Sequence, residues 1–282
     1  MRMRKGVSVL AAIGIGVLFT ATAGLAITNG QPDGNNHPYV GLAVFDVKVN
    51  GQNVPSHRCS ASLLSPTVVL TAAHCTVGTS AARVWFDEVV QGNTEYPFSG
   101  ATSYDGVAYT NPAFCNPCGN GLQEFALGDV GIIVLSEPVP LAAVDEYADL
   151  PTAGLVDTLN NKTGIDFVGY GVQFQAQIPG NALPQPPPFY RWAGPRVRLQ
   201  APSELISGNF ANSAQLLKLA LNPGGGSGGT CFGDSGGPDL LGGTDTVLGV
   251  NSFVTNVNCS GTGYSSRVDV PATLAWIDGF LP

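Results

Sequence analysis

The stretch "GDSGGP", residues 233–238, sets a serine between an aspartate and two glycines, with a third glycine ahead of them. So many positions without a side chain around one hydroxyl allow another backbone, or a substrate, to come close to Ser235. A serine hydroxyl is a weak nucleophile at neutral pH. Chemistry at Ser235 therefore needs a base to accept its proton and a third group to orient that base. Histidine is the usual base, and the chain holds three: His37, His57 and His74.

None of the three follows Ser235. The Gly-x-Ser-x-Gly arrangement of α/β-hydrolases runs Ser, then Asp or Glu, then His, so it cannot be completed here. The base must lie upstream. His74 is the favoured one, because it ends the run "VVLTAAHC", apolar enough for a buried strand, and Cys75 can fix its position covalently. His37 and His57 stand among Pro and Asn and read as exposed loop residues. A subtilisin-like order would need an aspartate before His74; Asp33 and Asp46 qualify by order only, with no supporting motif. Gly224, Gly226 and Gly229 satisfy G-x-G-x-x-G, but no strand enters that segment and no helix leaves it, so a dinucleotide site is not expected. "CNPC", with Cys115 and Cys118, lacks a second Cys pair or a nearby His to complete four zinc ligands. It reads as a local disulfide in a loop, and neither a metal nor a cofactor is expected.

These residues need a frame to hold them. Short β-branched runs recur between Gly, Pro and Asn: "YVGLAVF", "TVVLTAA", "VGIIVL", "DFVGYGV", "RVRLQ" and "TVLGVNSFV". Each is strand-length, which points to an all-β sandwich or barrel. One helix is expected, at "PATLAWIDGFL", where Pro271 suits a first turn and Leu274, Ile277 and Leu281 share a face. Pro179 to Pro195 reads as an extended polyproline-like loop.

Residues 1–26 read as a secretory signal peptide: Arg2, Arg4 and Lys5, then an apolar Val7–Phe19, then "TATAGLA". No cysteine precedes Cys59, which excludes a lipid anchor at that junction. The whole chain carries a formal charge of −8, and removal of those three cations makes the remainder more acidic still. So acidic a chain is a poor partner for phosphate backbones or anionic lipid, and no nucleic acid and no membrane contact after signal removal are expected. All six cysteines lie in the exported part, and an even count outside the cell reads as three disulfides.

"TAAHC" together with "GDSGGP" resembles the chymotrypsin/trypsin family of serine peptidases. "CSASLLSPTVVLTAAHC" resembles the family's histidine segment, "DVGIIVL" its aspartate segment, "GYG" at 169–171 its Gly-Trp-Gly strand, and "VLGVNSFV", with Ser252, the strand that pairs with bound peptide. The resemblance implies two packed antiparallel six-stranded β-barrels with a short C-terminal helix, divided at 27–145 and 146–282. It implies a Ser235–His74–Asp129 triad, an oxyanion hole from the N–H groups of Gly233 and Ser235, and disulfides Cys59–Cys75 and Cys231–Cys259. It also implies that Asp234 pairs with a freed N-terminal amine. Ile27, in "ITNG" directly after Ala26, would supply that amine once the signal peptide is cut. The primary pocket would be floored by Gly229 and walled by Val254 and Gly263, which suits small or medium apolar side chains. The expected product is a secreted, extracellular, monomeric endopeptidase acting on proteins or peptides and open to protein inhibitors. The rival expectation is a secreted binding protein with this fold and no turnover.

Overall fold

The structure, a computed structural model, describes residues 27–118, 126–177, 190–206, 212–222 and 228–282. After a short β1 (Gln31–Pro32), the chain builds a barrel from β2 (Val40–Val49), β3 (Gln52–Ser65), β4 (Val68–Thr71), β5 (Ala81–Trp85), β6 (Ser103–Thr110) and β7 (Gly131–Leu135). Asn50 and Gly51, at φ 50° and 83°, make the tight turn between β2 and β3, the conformation that an Asn-Gly pair favours in a hairpin. The ladder β2-β3-β4-β7-β6-β5 closes on itself and leaves no free edge.

The second half contains β8 (Gly164–Gly169), the hairpin strands β9 (Phe174–Gln177) and β10 (Tyr190–Ala193), β11 (Leu199–Glu204), β12 (Leu216–Leu221), β13 (Pro238–Leu241), β14 (Val247–Val254) and β15 (Gly261–Arg267). Its main sheet has seven strands in the order β1-β11-β8-β13-β14-β15-β12. The expected six-stranded barrel is thus only partly matched. β1 adds a strand at one edge, and the sheet curls until Leu205, just past β11, meets Leu219 of β12 in a single bridge. Because β1 pairs with β11, the start of the described chain belongs to the second sheet.

Between the halves lie α2 (Leu141–Val144) and a 3-10 turn (Leu155–Thr158); α1 (Ala73–Thr76) follows β4. α3 (Pro271–Asp278) begins on Pro271 as expected and buries Ile277, with Leu274 and Leu281 packed on the same core. That core runs from the first barrel (Leu42, Val69, Ile132) into the second half (Val168, Leu240, Val250). A separate cluster, Ile27, Phe167, Leu219, Leu221 and Leu248, fills the second half alone. Each large aliphatic side chain so buried contributes about 1.5–3 kcal/mol. Arg198 and Asp33, both fully buried, pair at 2.8 Å and tie the segment before β2 to the strand region of β11.

Three sequence expectations need revision here. His57 lies in β3, not in a loop, with Nε2 2.8 Å from the Cys75 carbonyl oxygen and its ring stacked on Phe45. His37 is largely covered rather than exposed, with Nδ1 2.6 Å from Asp33. Of the Pro-rich segment, 179–189 lie outside the described residues, while Tyr190–Ala193 form β10 rather than a polyproline loop. β3 carries no continuous apolar run, because its outer half is polar and contains Pro55.

Candidate active site

β4 and β7 are antiparallel neighbours, with Thr71 opposite Gly131. α1 leaves β4 and Asp129 just precedes β7, so the barrel register itself brings His74 to Asp129. The contact has two points: the His74 backbone N–H donates to Asp129 Oδ1 at 2.8 Å, and Nδ1 lies 2.7 Å from Oδ2. An ionised carboxylate only accepts, so Nδ1 carries the proton and Nε2 is left as the basic nitrogen. Ser252 Oγ also donates to Asp129 Oδ2, and the Asp129 N–H donates to Ser266 Oγ at 3.0 Å. Asp129 is fully buried. Burial works to raise its pKa, but the His74 and Ser252 hydrogen bonds prevail and hold the carboxyl below its ordinary value. Cys59 and Cys75 are bonded, and their sulfurs lie within 4.8 Å of a His74 ring nitrogen.

Ser235 sits on the loop between Cys231 and β13. Ser60 N–H donates to its carbonyl oxygen at 2.8 Å, which ties the loop to the first barrel. The N–H groups around it divide into two sets. Asp234 N–H donates to Cys231 O (3.0 Å), Gly236 N–H to Asn251 O (2.8 Å) and Gly237 N–H to Asp234 O (2.9 Å). Among the described residues, the N–H groups of Gly233 and Ser235 are left unengaged. Gly233 has φ +95°, and a Cβ there would stand 3.2 Å from Gly171 Cα, so only glycine suits the position.

Asp234 is fully buried beside this loop. Gly171 N–H donates to its Oδ1 at 2.8 Å and Cys231 N–H to its Oδ2 at 2.9 Å. A Cβ at Gly171 would fall 2.3 Å from Asp234 Oδ2, which explains the second glycine of "GYG". Burial pushes the Asp234 pKa up to about 7, against the pull of those two N–H groups and of Arg58. The Gly171 and Cys231 N–H groups are the donors its carboxylate takes among the described residues, and the Ile27 amide is not one of them. Ile27 is nonetheless buried, and Thr28 N–H donates to Gly229 O at 2.9 Å while Gly229 N–H returns a bond to Thr28 O at 3.1 Å.

A cavity of about 170 Å³ opens beside Ser235, lined by Thr230, Cys231, Phe232, Asn251, Ser252, Phe253 and Val254 as well as the serine. Of the three pocket residues read from sequence, Val254 lines it. A Cβ on Gly229 or Gly263 would instead come within 3.1–3.2 Å of the Leu221 side chain. Both glycines thus back onto Leu221 rather than lining the cavity. Cys231 and Cys259 are bonded across the cavity wall. Cys115 and Cys118 are bonded too, and Cys115 exchanges backbone hydrogen bonds with Leu127, two residues before Asp129. The sequence reading missed Thr230, Asn251 and Ser266. Asn251, an amide within the apolar run "VLGVNSFV", is the one that carried a signal.

Comparison with known proteins adds a further line of observation. Residues 31–185 match the family model described as Trypsin. The chain is 30% identical over 211 residues to chymotrypsin-like elastase family member 3B of Macaca mulatta, covering 72% of this chain and 74% of that protein. It is 28% identical to proproteinase E of Bos taurus (79% and 83% covered) and 26% identical to trypsin theta of Drosophila melanogaster (98% and 97%). A solved structure titled HL collagenase superposes with a TM-score of 0.65 at 20% identity, over 90% of this chain and 97% of that one. A mutant of human heparin binding protein superposes with a TM-score of 0.59 at 19% identity, over 90% and 96%.

Proposed function

This chain belongs to the trypsin family of serine peptidases and is a serine-type endopeptidase, and we propose that Ser235, His74 and Asp129 form its catalytic triad. Ser235 Oγ attacks the scissile carbonyl carbon as His74 Nε2 takes its proton. Asp129 holds the tautomer through Nδ1 and stabilises the imidazolium. The resulting oxyanion is received by the Gly233 and Ser235 N–H groups. His74 then protonates the leaving amine, an acyl-serine remains, and a water deprotonated by His74 releases the acid and restores Ser235. No cofactor takes part.

One observation carries this reading: among the described residues the two N–H groups flanking Asp234 are unspent, while those of Asp234, Gly236 and Gly237 are committed to carbonyls. Unengaged donors cost stability unless something else uses them, and a developing oxyanion is what such a pair serves. The substrates are proteins or peptides. The 170 Å³ cavity, with Leu221 behind Gly229 and Gly263, supports a preference for small or medium apolar residues on the acyl side, with Ser252 beside the bound backbone. Export by the residue 1–26 signal peptide would free the Ile27 amine to pair with Asp234, in a monomeric extracellular enzyme organised as 27–145 and 146–282. The described residues contain no helix long and apolar enough to cross a membrane.

A fluorophosphonate probe tests the core of the proposal. Wild type should be labelled, and Ser235→Ala should not; an unlabelled wild type overturns the triad and favours a silent binder. A peptide library tests the pocket, and preferential cleavage after Arg or Lys would overturn it. Sequencing the exported N-terminus tests activation, since a start at Gly24 leaves Ile27 blocked.

A further inference from the structure

Asp239 lies on β13, four residues past Ser235, with none of its surface exposed. Its partners in the sheet are Phe167 on β8 and Gly249 on β14. Among the described residues, neither of its carboxylate oxygens has a well-formed hydrogen bond. Burial pushes its pKa up to about 8, with the nearby Ser265 hydroxyl drawing it partly back, so the acid form prevails at neutral pH. A carboxyl retained in an apolar barrel asks for a reason beyond packing.

Its surroundings lead back to the nucleophile. A Cβ at Gly249 would lie 3.1 Å from Asp239 Oδ2 and 3.2 Å from Ser265 Cβ, so the glycine lets the two side chains share one space. Ser265 Oγ donates to Asn251 Oδ1 at a long 3.5 Å. Asn251 Nδ2 donates to Gly237 O at 3.3 Å, and the Asn251 backbone N–H reaches the same oxygen at 3.0 Å. The Asn251 carbonyl receives the Gly236 N–H at 2.8 Å, and Asn251 lines the cavity that holds Ser235. A hydroxyl has one proton to give. When Asp239 donates to Ser265 Oγ, Ser265 keeps its own proton for Asn251 Oδ1. When Asp239 is ionised, it draws that proton to itself and Asn251 loses its donor.

We propose that Asp239 is a positioning residue for the nucleophile loop, acting as a hydrogen-bond donor through Ser265 and Asn251 on the Gly236–Gly237 backbone and thereby on Ser235. It rests on the reading of Ser235 as nucleophile.

The experiment compares Asp239→Asn, Asp239→Leu and Ser265→Ala by kcat and KM on a peptide amide, by the rate of fluorophosphonate labelling, and by melting temperature. Asp239→Asn keeps a donor and should keep most of the activity. Asp239→Leu removes the donor that holds the Ser265 hydroxyl toward Asn251 and should lose about 10- to 100-fold in kcat with little change in KM, as for a nucleophile displaced by a fraction of an ångström. Ser265→Ala should lose as much, and Asp239→Leu on that background should add nothing further. Asp239→Leu with wild-type kcat overturns the proposal, as does an equal loss in the Asn and Leu variants. Should Asp239→Leu fail to fold, Ser265→Ala decides: an unchanged kcat overturns the link, and a matching loss sustains it. A wild type inert to probe and peptide alike overturns the nucleophile reading, and the link with it.

Discussion

The two halves of the molecule hold their shares of the site in opposite ways. The first barrel closes completely, and His74 and Asp129 sit on short connections at the ends of two paired strands, with both carboxylate oxygens engaged. Among the described residues the second sheet closes through one bridge, and the Ser235 loop keeps two N–H groups unengaged and two buried carboxyls, Asp234 and Asp239, raised to about 7 and 8. A base that must present one tautomer benefits from having every bond made. A loop that must receive charge needs bonds left open. The candidate site thus straddles a boundary between a half whose polar groups are saturated and one whose groups are not.

That comparison can be broken from either side, and the largest effect belongs to the second half. Ser235→Ala should lower kcat by about 10⁶-fold and abolish phosphonate labelling. On the first-half side, Asp129→Asn should lower kcat by about 10⁴-fold, a figure taken from this family's own template. It should still label, slowly; a variant that labels at the wild-type rate would show that the clamp is not needed. Stability should separate the halves next. Removing either the Cys59–Cys75 or the Cys231–Cys259 bridge should cost about 2–4 kcal/mol by chemical denaturation. The surviving activity per folded molecule should fall more for Cys231–Cys259, which frames the open loop. Equal losses would blur the distinction.

Gly171→Ala should cost about 1–3 kcal/mol from overpacking against Asp234, measured as a lowered melting temperature together with slower labelling. The gentlest test is pH. In the chain still joined through Ala26, the folded pKa of Asp234, about 7, exceeds its ordinary 3.8, so the fold favours the neutral acid. Its contribution to stability is therefore full below 3.8 and lost as pH rises toward about 7. Asp234→Asn should remove that slope in the unprocessed chain. If processing frees the Ile27 amine to pair with Asp234, the slope between 3.8 and about 7 should vanish, and one of opposite sign should appear below 3.8.

Much of this was legible beforehand because it depended on short, strongly typed segments. "VGIIVL" and "VVLTAA" are β-branched runs that could become little else, and they are the pair whose register joins His74 to Asp129. "PATLAWIDGFL" likewise carried its own start signal in Pro271. What escaped depended on partners far away in sequence. The polar outer half of β3 is held in strand form by β2 across a two-residue turn, so its own residues carry little strand signal. Gly229 and Gly263 read as pocket glycines until Leu221, from another strand, is seen against both. Asp239 follows "GDSGGP" directly and leads the apolar "LL" of β13; a charge in that place was a visible irregularity, but its meaning requires Ser265 and Asn251 beside it.

The exchange of hydrogen bonds between Thr28 and Gly229 also bears on how the protein can be handled. With Ile27 enclosed and the next residue stitched to the segment leading to the cavity, the leading end of the fold has no slack. A purification handle fused ahead of Ile27 would pull on the Thr28–Gly229 bridge, next to Thr230 of the cavity lining. One fused after Pro282, which is exposed beyond α3, would trail into solvent.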